Sequence, residues 1–163
     1  MPVVGRAGAA DGRFVAAHIK SVQNSDLGEP QTTAVASIFD PAGGGDVITS
    51  GTAGSPKHFT RTSPALTALP GGRFVMAWVE KSADTFSTVP TVTAQLYSDA
   101  QLNIGTPVQV SSGNPKNCFH LSAAAVFANG SQERVFLTWA HMTADGKTSI
   151  RGSVLTAGPG GLS

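Results

Sequence analysis

Gly-Arg-Phe-Val stands at Gly12 to Val15 and returns at Gly72 to Val75, 60 residues later. A looser third copy, Glu133-Arg134-Val135-Phe136-Leu137-Thr138-Trp139, places Trp139 61 residues beyond Trp78, and His18 holds the corresponding place in the first copy. Ala36-Ser37-Ile38-Phe39 is followed 58 residues on by Ala94-Gln95-Leu96-Tyr97 and, after 58 more, by Gly152-Ser153-Val154-Leu155. The linkers keep step: Gly54-Ser55-Pro56-Lys57 recurs as Gly113-Asn114-Pro115-Lys116 at a spacing of 59. Independent segments that agree on one period restrict the chain to folds in which a unit of about 60 residues is stacked on its neighbours. The expected organisation is one domain over residues 1–163, built of three repeats at 1–55, 56–114 and 115–163.

Each unit divides into short runs rich in β-branched and aromatic residues, bounded by Gly, Pro, Asn, Asp or Ser, which is the pattern of strands and turns. In the central unit the strands are expected at Pro64 to Leu69, Arg73 to Glu80, Val92 to Tyr97 and Pro107 to Val110. The first unit offers Val3 to Gly8, Arg13 to Lys20, Thr33 to Phe39 and Asp46 to Thr49; the third offers Leu121 to Phe127, Arg134 to Met142 and Ser149 to Thr156. No window of eleven residues sustains the i, i+3, i+4, i+7 apolar spacing of an amphipathic helix, so the class is all-β. The closing Gly158-Pro159-Gly160-Gly161 is too rich in turn residues to promise a fourth strand in the last unit.

Four antiparallel strands per tandem repeat is the pattern of a β-propeller, whose four-stranded blades bury their faces against one another. The segment Thr67-Ala68-Leu69-Pro70-Gly71-Gly72-Arg73-Phe74-Val75-Met76-Ala77-Trp78, with Thr93-Ala94-Gln95-Leu96-Tyr97-Ser98-Asp99 and Gly105-Thr106-Pro107-Val108-Gln109-Val110-Ser111, resembles the propeller-like repeats of secreted bacterial RTX or hemolysin-type and adhesin proteins. The central unit carries the resemblance over about fifty residues, and in the first unit His18 replaces the usual Trp. The resemblance implies four-stranded blades and an extracellular or cell-surface setting, although Met1-Pro2-Val3-Val4-Gly5-Arg6 has no signal-peptide pattern.

Propellers close with 4–8 blades, so about three blades with the last one incomplete leave open edges, and exposed β edges are covered or paired. The expected partner is a second copy that completes six blades around a two-fold axis, or further repeats of a longer chain. The N-terminal segment around Val3-Val4 is a candidate to fill a partner's missing last strand. Eleven basic against ten acidic residues, with no basic cluster, argue against nucleic acid as a partner. No stretch approaches the ~20 apolar residues of a membrane-spanning helix. The lone Cys118 cannot form an intrachain disulfide and is expected to be a buried, inert thiol.

The residues that recur at one place in each unit, His18, Trp78 and Trp139, are the first candidates for ligand contact. An aromatic ring at the end of a strand can stack on the apolar face of a sugar while a neighbouring polar group fixes its orientation. Strand alternation also puts Phe74, Met76 and Trp78 on one face, and Val135, Leu137 and Trp139 on the matching one, as packing between units requires. Lys57, His58, Lys116 and His120 lie near the unit junctions, with His141 following Trp139, and the junction residues would form a ring of Lys and His, suited to an anionic or glycan ligand, if the units surround a channel. Each histidine belongs to a different element, so neither a metal site nor a cofactor is expected. No nucleophile elbow or phosphate-binding loop occurs, and no pair of the ten acidic residues is singled out as glycosidase carboxylates. Thr143-Ala144-Asp145-Gly146-Lys147 is a turn signal. The functional expectation is a non-catalytic binding module, lectin-like or adhesin-like, with glycan or surface ligands held at equivalent places between blades. The alternatives are a glycan-acting hydrolase or lyase on the same frame and a purely structural, self-assembling repeat.

Overall fold

The computed structural model describes residues 3–6, 13–23, 30–39, 45–49, 59–82, 89–98, 103–111, 115–127 and 132–163. Over these residues the chain is all-β and contains no helix. Three antiparallel meanders follow one another along the chain. The first comprises β1 (Val3–Arg6), β2 (Phe14–Gln23), β3 (Pro30–Phe39) and β4 (Gly45–Thr49). The second comprises β5 (Phe59–Ala68), β6 (Arg73–Ser82), β7 (Thr91–Ser98) and β8 (Asn103–Gln109). The third comprises β9 (Asn117–Phe127), β10 (Glu133–Met142), β11 (Thr148–Gly158) and β12 (Gly161–Leu162). A parallel bridge between Thr32 and Thr60 joins the first two meanders into one eight-stranded sheet, and the third is a separate four-stranded sheet. The first strands neighbour one another, β5 packing against both β1 and β9.

Two tight turns show why the chain reverses where it does. Gly71 and Gly72 both have positive φ (70° and 71°), the backbone that a two-residue hairpin turn of the primed type demands and that glycine adopts without steric penalty. Gly146, with φ 82°, plays the same part in the exposed turn between β10 and β11, where the Thr143 hydroxyl donates to Asp145.

The core follows from strand alternation. On β6, Phe74, Met76 and Trp78 join Val15, Ala17, Ala34, Ala36 and Ile38 of the first meander in one apolar cluster. The intervening Val75, Ala77 and Val79 join Val135, Leu137 and Trp139 of the third in another. β6 and β7 of the second meander are thus buried on both faces, which accounts for their near-continuous apolar sequence and the scarcity of charge within them. An ion pair crosses the second seam: an Arg73 Nη atom lies 2.6 Å from Glu133 Oε1.

Three details depart from the sequence expectation. β5 and β9 begin at Phe59 and Asn117 rather than at Pro64 and Leu121, because each carries a register shift that interrupts the apolar alternation. In β5 the shift contains Pro64, which has no N–H to give to the ladder. The third meander does have a fourth strand, the two-residue β12, whose pairing continues through mutual backbone hydrogen bonds between Thr156 and Ser163 of 2.8 and 3.1 Å. Finally, Val3–Arg6 pairs with Phe14–Ala17 of its own chain, and β12 takes the place beside β11 that the sequence left without a strand.

Candidate functional site

Each tryptophan stands opposite an irregularity of the neighbouring strand. Between the pairs Thr62–Val79 and Ala65–Ala77, Trp78 of β6 faces two residues of β5, Ser63 and Pro64. Between Thr138–Ser122 and Ala140–Phe119, Trp139 of β10 likewise faces His120 and Leu121 of β9. Such bulges re-aim side chains and bend the strand, and here the same device recurs at one place in two units.

The two tryptophans differ in their polar contacts. Trp78 is 3% exposed and its indole N–H donates to Glu80 Oε2 at 3.0 Å. Glu80 stands two residues on, on the same strand face. That spacing was a usable sequence signal for a residue not counted among the candidates. Trp139 is 5% exposed, within the cluster between the second and third meanders, and its Nε1 meets no acceptor among the described residues. At the position matching Glu80 stands His141, which is buried.

The third unit brings four of the candidates onto neighbouring rungs of one ladder. Lys116 donates its backbone N–H to Met142 O at 2.7 Å, His141 pairs with Cys118, and His120 lies in the bulge opposite Trp139. His120 has φ 52°, the left-handed region, and no other described non-glycine residue has a positive φ. A non-glycine residue there costs about 1–2 kcal/mol, so the surrounding ladder holds it in place. Its imidazole is exposed and meets the Phe119 ring edge-on at 5.1 Å. The Cys118 thiol lies 3.9 Å from Pro90 O across the seam, and burial pushes its pKa up; it is buried, as the sequence led one to expect.

In the first unit His18 pairs with Val35 and is half-buried. Lys57 and His58 lie outside the described residues, and with them the expected ring of cationic groups. Lys116 and His120 are exposed, whereas His141 is not. Among the described residues no three His, Cys, Asp or Glu side chains gather in a way that would hold a metal ion. No helix of the described chain is long and apolar enough to cross a membrane. Asp145, in the exposed turn, has its carboxyl held below the usual range by the Thr143 hydroxyl and by Lys147.

Comparison with family models, with curated proteins and with solved structures finds no match to this chain.

Proposed function

We propose that the chain is a non-catalytic binding module of propeller-type blades that recognises glycans or glycan-bearing surfaces at equivalent places, one beside the end of each unit's second strand. The observation that carries this reading is the bulge that recurs opposite Trp78 and Trp139, in the third unit with a left-handed His120 exposed at its tip. A backbone outlier on an exposed residue, beside a buried aromatic and flanked by Lys116, is the pattern of a site held ready for a ligand. Each tryptophan backs its bulge from the core, and the exposed polar groups at the bulge make the ligand contact. The tandem four-stranded meanders with neighbouring first strands support the blade reading. The resemblance of the central unit to repeats of exported bacterial proteins supports a cell-surface or extracellular setting.

Titration calorimetry of the chain against a panel of neutral, anionic and amino sugars tests this. The expected result is saturable binding with more than one site per chain, of which the third unit's site alone is weakened at least about tenfold by His120→Gly, which keeps the backbone and removes the ring. A single site per chain would favour the hydrolase or lyase, and absence of binding to every glycan would overturn the reading.

A further inference from the structure

The second and third units treat one local requirement in opposite ways. In the second, Trp78 shares its rung with Thr93, and Glu80 supplies the acceptor for the indole N–H at 3.0 Å. In the third, Trp139 shares its rung with Arg151 and is followed at the matching place by His141. Where one unit has a carboxylate the other has an imidazole, and where one has a threonine the other has a guanidinium, which only donates. Trp139 is 5% exposed, and its Nε1 is buried with no acceptor among the described residues. A buried donor of this kind marks a place for a partner that the chain itself does not supply.

The surroundings of that place are basic. Arg73 and Glu133 pair where β6 and β10 begin, so the far ends of the two strands, with Lys81 and His141, lie together at the other end of the seam. The Cys118 thiol against Pro90 O marks the same end from β9. Arg151 is exposed on β11, His120 in the bulge of β9 and Lys116 just before that strand. Alternation puts Lys81, also exposed, on the facing side of β6 beyond Val79. The side chains of Arg151, Lys116 and Lys81 hold no ion pair among the described residues. The described carboxylates are engaged elsewhere: Glu133 with Arg73, Glu80 with Trp78 on the opposite face of the second meander, and Asp145 with Thr143 and Lys147 at the tip of the β10–β11 turn.

From this exchange we infer that the third unit binds the oxyanion of an acidic sugar, a carboxylate or sulfate group, one oxygen of which accepts the Trp139 N–H as the Glu80 carboxylate accepts that of Trp78. The Arg151 guanidinium holds the same oxyanion through its fork of N–H groups. Residues directly opposite on neighbouring strands have Cβ atoms about 4.5–5.5 Å apart, well within an arginine's reach. The indole N–H is covered in the free chain, so the oxyanion enters by displacing a side chain. Arg151 and His141 are the ones to give way, since their side chains hold no hydrogen bond among the described residues. In the second unit the chain's own carboxylate takes the equivalent place, so the oxyanion is specific to the third. The inference deepens the glycan reading at that unit and rests on it for the sugar; the oxyanion follows from the unpartnered indole and the basic side chains alone.

The chain has 2 tryptophans, so the nitrogen–proton correlation spectrum of the labelled protein carries one indole signal for each, and Trp139→Phe assigns them. Titration with glucuronate, a glucose sulfate ester, glucose, acetate and inorganic sulfate tests the inference. An acidic sugar is expected to move the Trp139 signal saturably, to leave that of Trp78 in place, and to bind at least about tenfold more tightly than glucose or either free anion. Arg151→Gln, at an exposed position, is expected to weaken that binding at least about tenfold while both indole signals and the β circular dichroism are kept. His141→Glu rebuilds the arrangement of Trp78 and Glu80; it is expected to move the Trp139 signal without ligand and to abolish the response to acidic sugars. Glucose that acts on the Trp139 signal as the acidic sugars do overturns this inference and leaves the glycan reading standing. A Trp139 signal that no ligand moves, or that responds in Arg151→Gln as in the wild type, also overturns it. Acetate or sulfate bound as tightly as the acidic sugars upholds the oxyanion site and overturns the glycan reading for this unit. Should His141→Glu fail to fold, Arg151→Gln decides alone.

Discussion

Trp78 and Trp139 hold matching places in the repeat and are both buried, yet among the described residues only the first has an acceptor for its indole N–H. A hydrogen bond to a carboxylate contributes about 1.5–3 kcal/mol, whereas a buried donor left without a partner is a cost of similar size. Replacing each by phenylalanine therefore separates two effects that burial alone would equate. Trp78→Phe is expected to lower stability by about 2–4 kcal/mol, from lost volume and the lost bond to Glu80 together. Trp139→Phe is expected to cost about 2 kcal/mol less, because removal of the unpartnered N–H offsets part of the lost packing. Urea denaturation followed by circular dichroism measures the difference, and equal losses would mean that the indole N–H groups do not distinguish the two sites.

Among the elements, the twelfth strand shows how little local preference is needed when tertiary contact is close. Gly161 has φ 123°, and its Cα lies 2.9 Å from where a Cβ on Gly105 would stand; that Cβ would also come within 2.3 Å of Gly160 O. Gly105 itself has φ 72°, so the position combines backbone strain with a backbone clash that no rotamer relieves. Gly105→Ala should cost about 2–4 kcal/mol and release protection of the Thr156 and Ser163 amides, read by hydrogen exchange. Gly146→Ala, at a positive φ but in open space, should cost only about 1 kcal/mol and leave those amides protected. The contrast explains what could be read from the chain beforehand. The alternation and β-branched content of β6, β7 and β10 announce strands outright, and the 58- to 61-residue spacings group them into units. Gly161–Leu162 carries no such signal, since it is a strand only by virtue of its neighbours β8 and β11. The early halves of β5 and β9 were hidden for another reason, the bulge that shifts their alternation by one residue. At the candidate site the recurrence of His18, Trp78 and Trp139 was plain, whereas the left-handed His120 follows from ladder geometry that no residue type encodes.

For the molecule as a whole, the Arg73–Glu133 ion pair spans two meanders, and its partners lie 60 residues apart, one repeat length. The second carboxylate oxygen of Glu133 is buried with no partner among the described residues, so removing the arginine leaves a partly buried charge without its counter-ion. Arg73→Met is expected to destabilise the chain by about 1–3 kcal/mol, and adding Glu133→Gln to recover part of that loss. Thermal melts of the two variants and the double variant measure the coupling, and a double variant no better than Arg73→Met would show that the pair does not tie the third sheet to the second. The tryptophan-bearing face of the second meander packs on the first, and that of the third packs on the opposite face of the second, so the meanders stack with a constant sense, and this has a consequence at the level of the gene. An in-frame duplication or deletion of one unit by unequal recombination leaves the leading face and the trailing face of the chain as they were. Such a change adds or removes one whole layer of the stack, so it neither breaks a core cluster nor exposes a new kind of face.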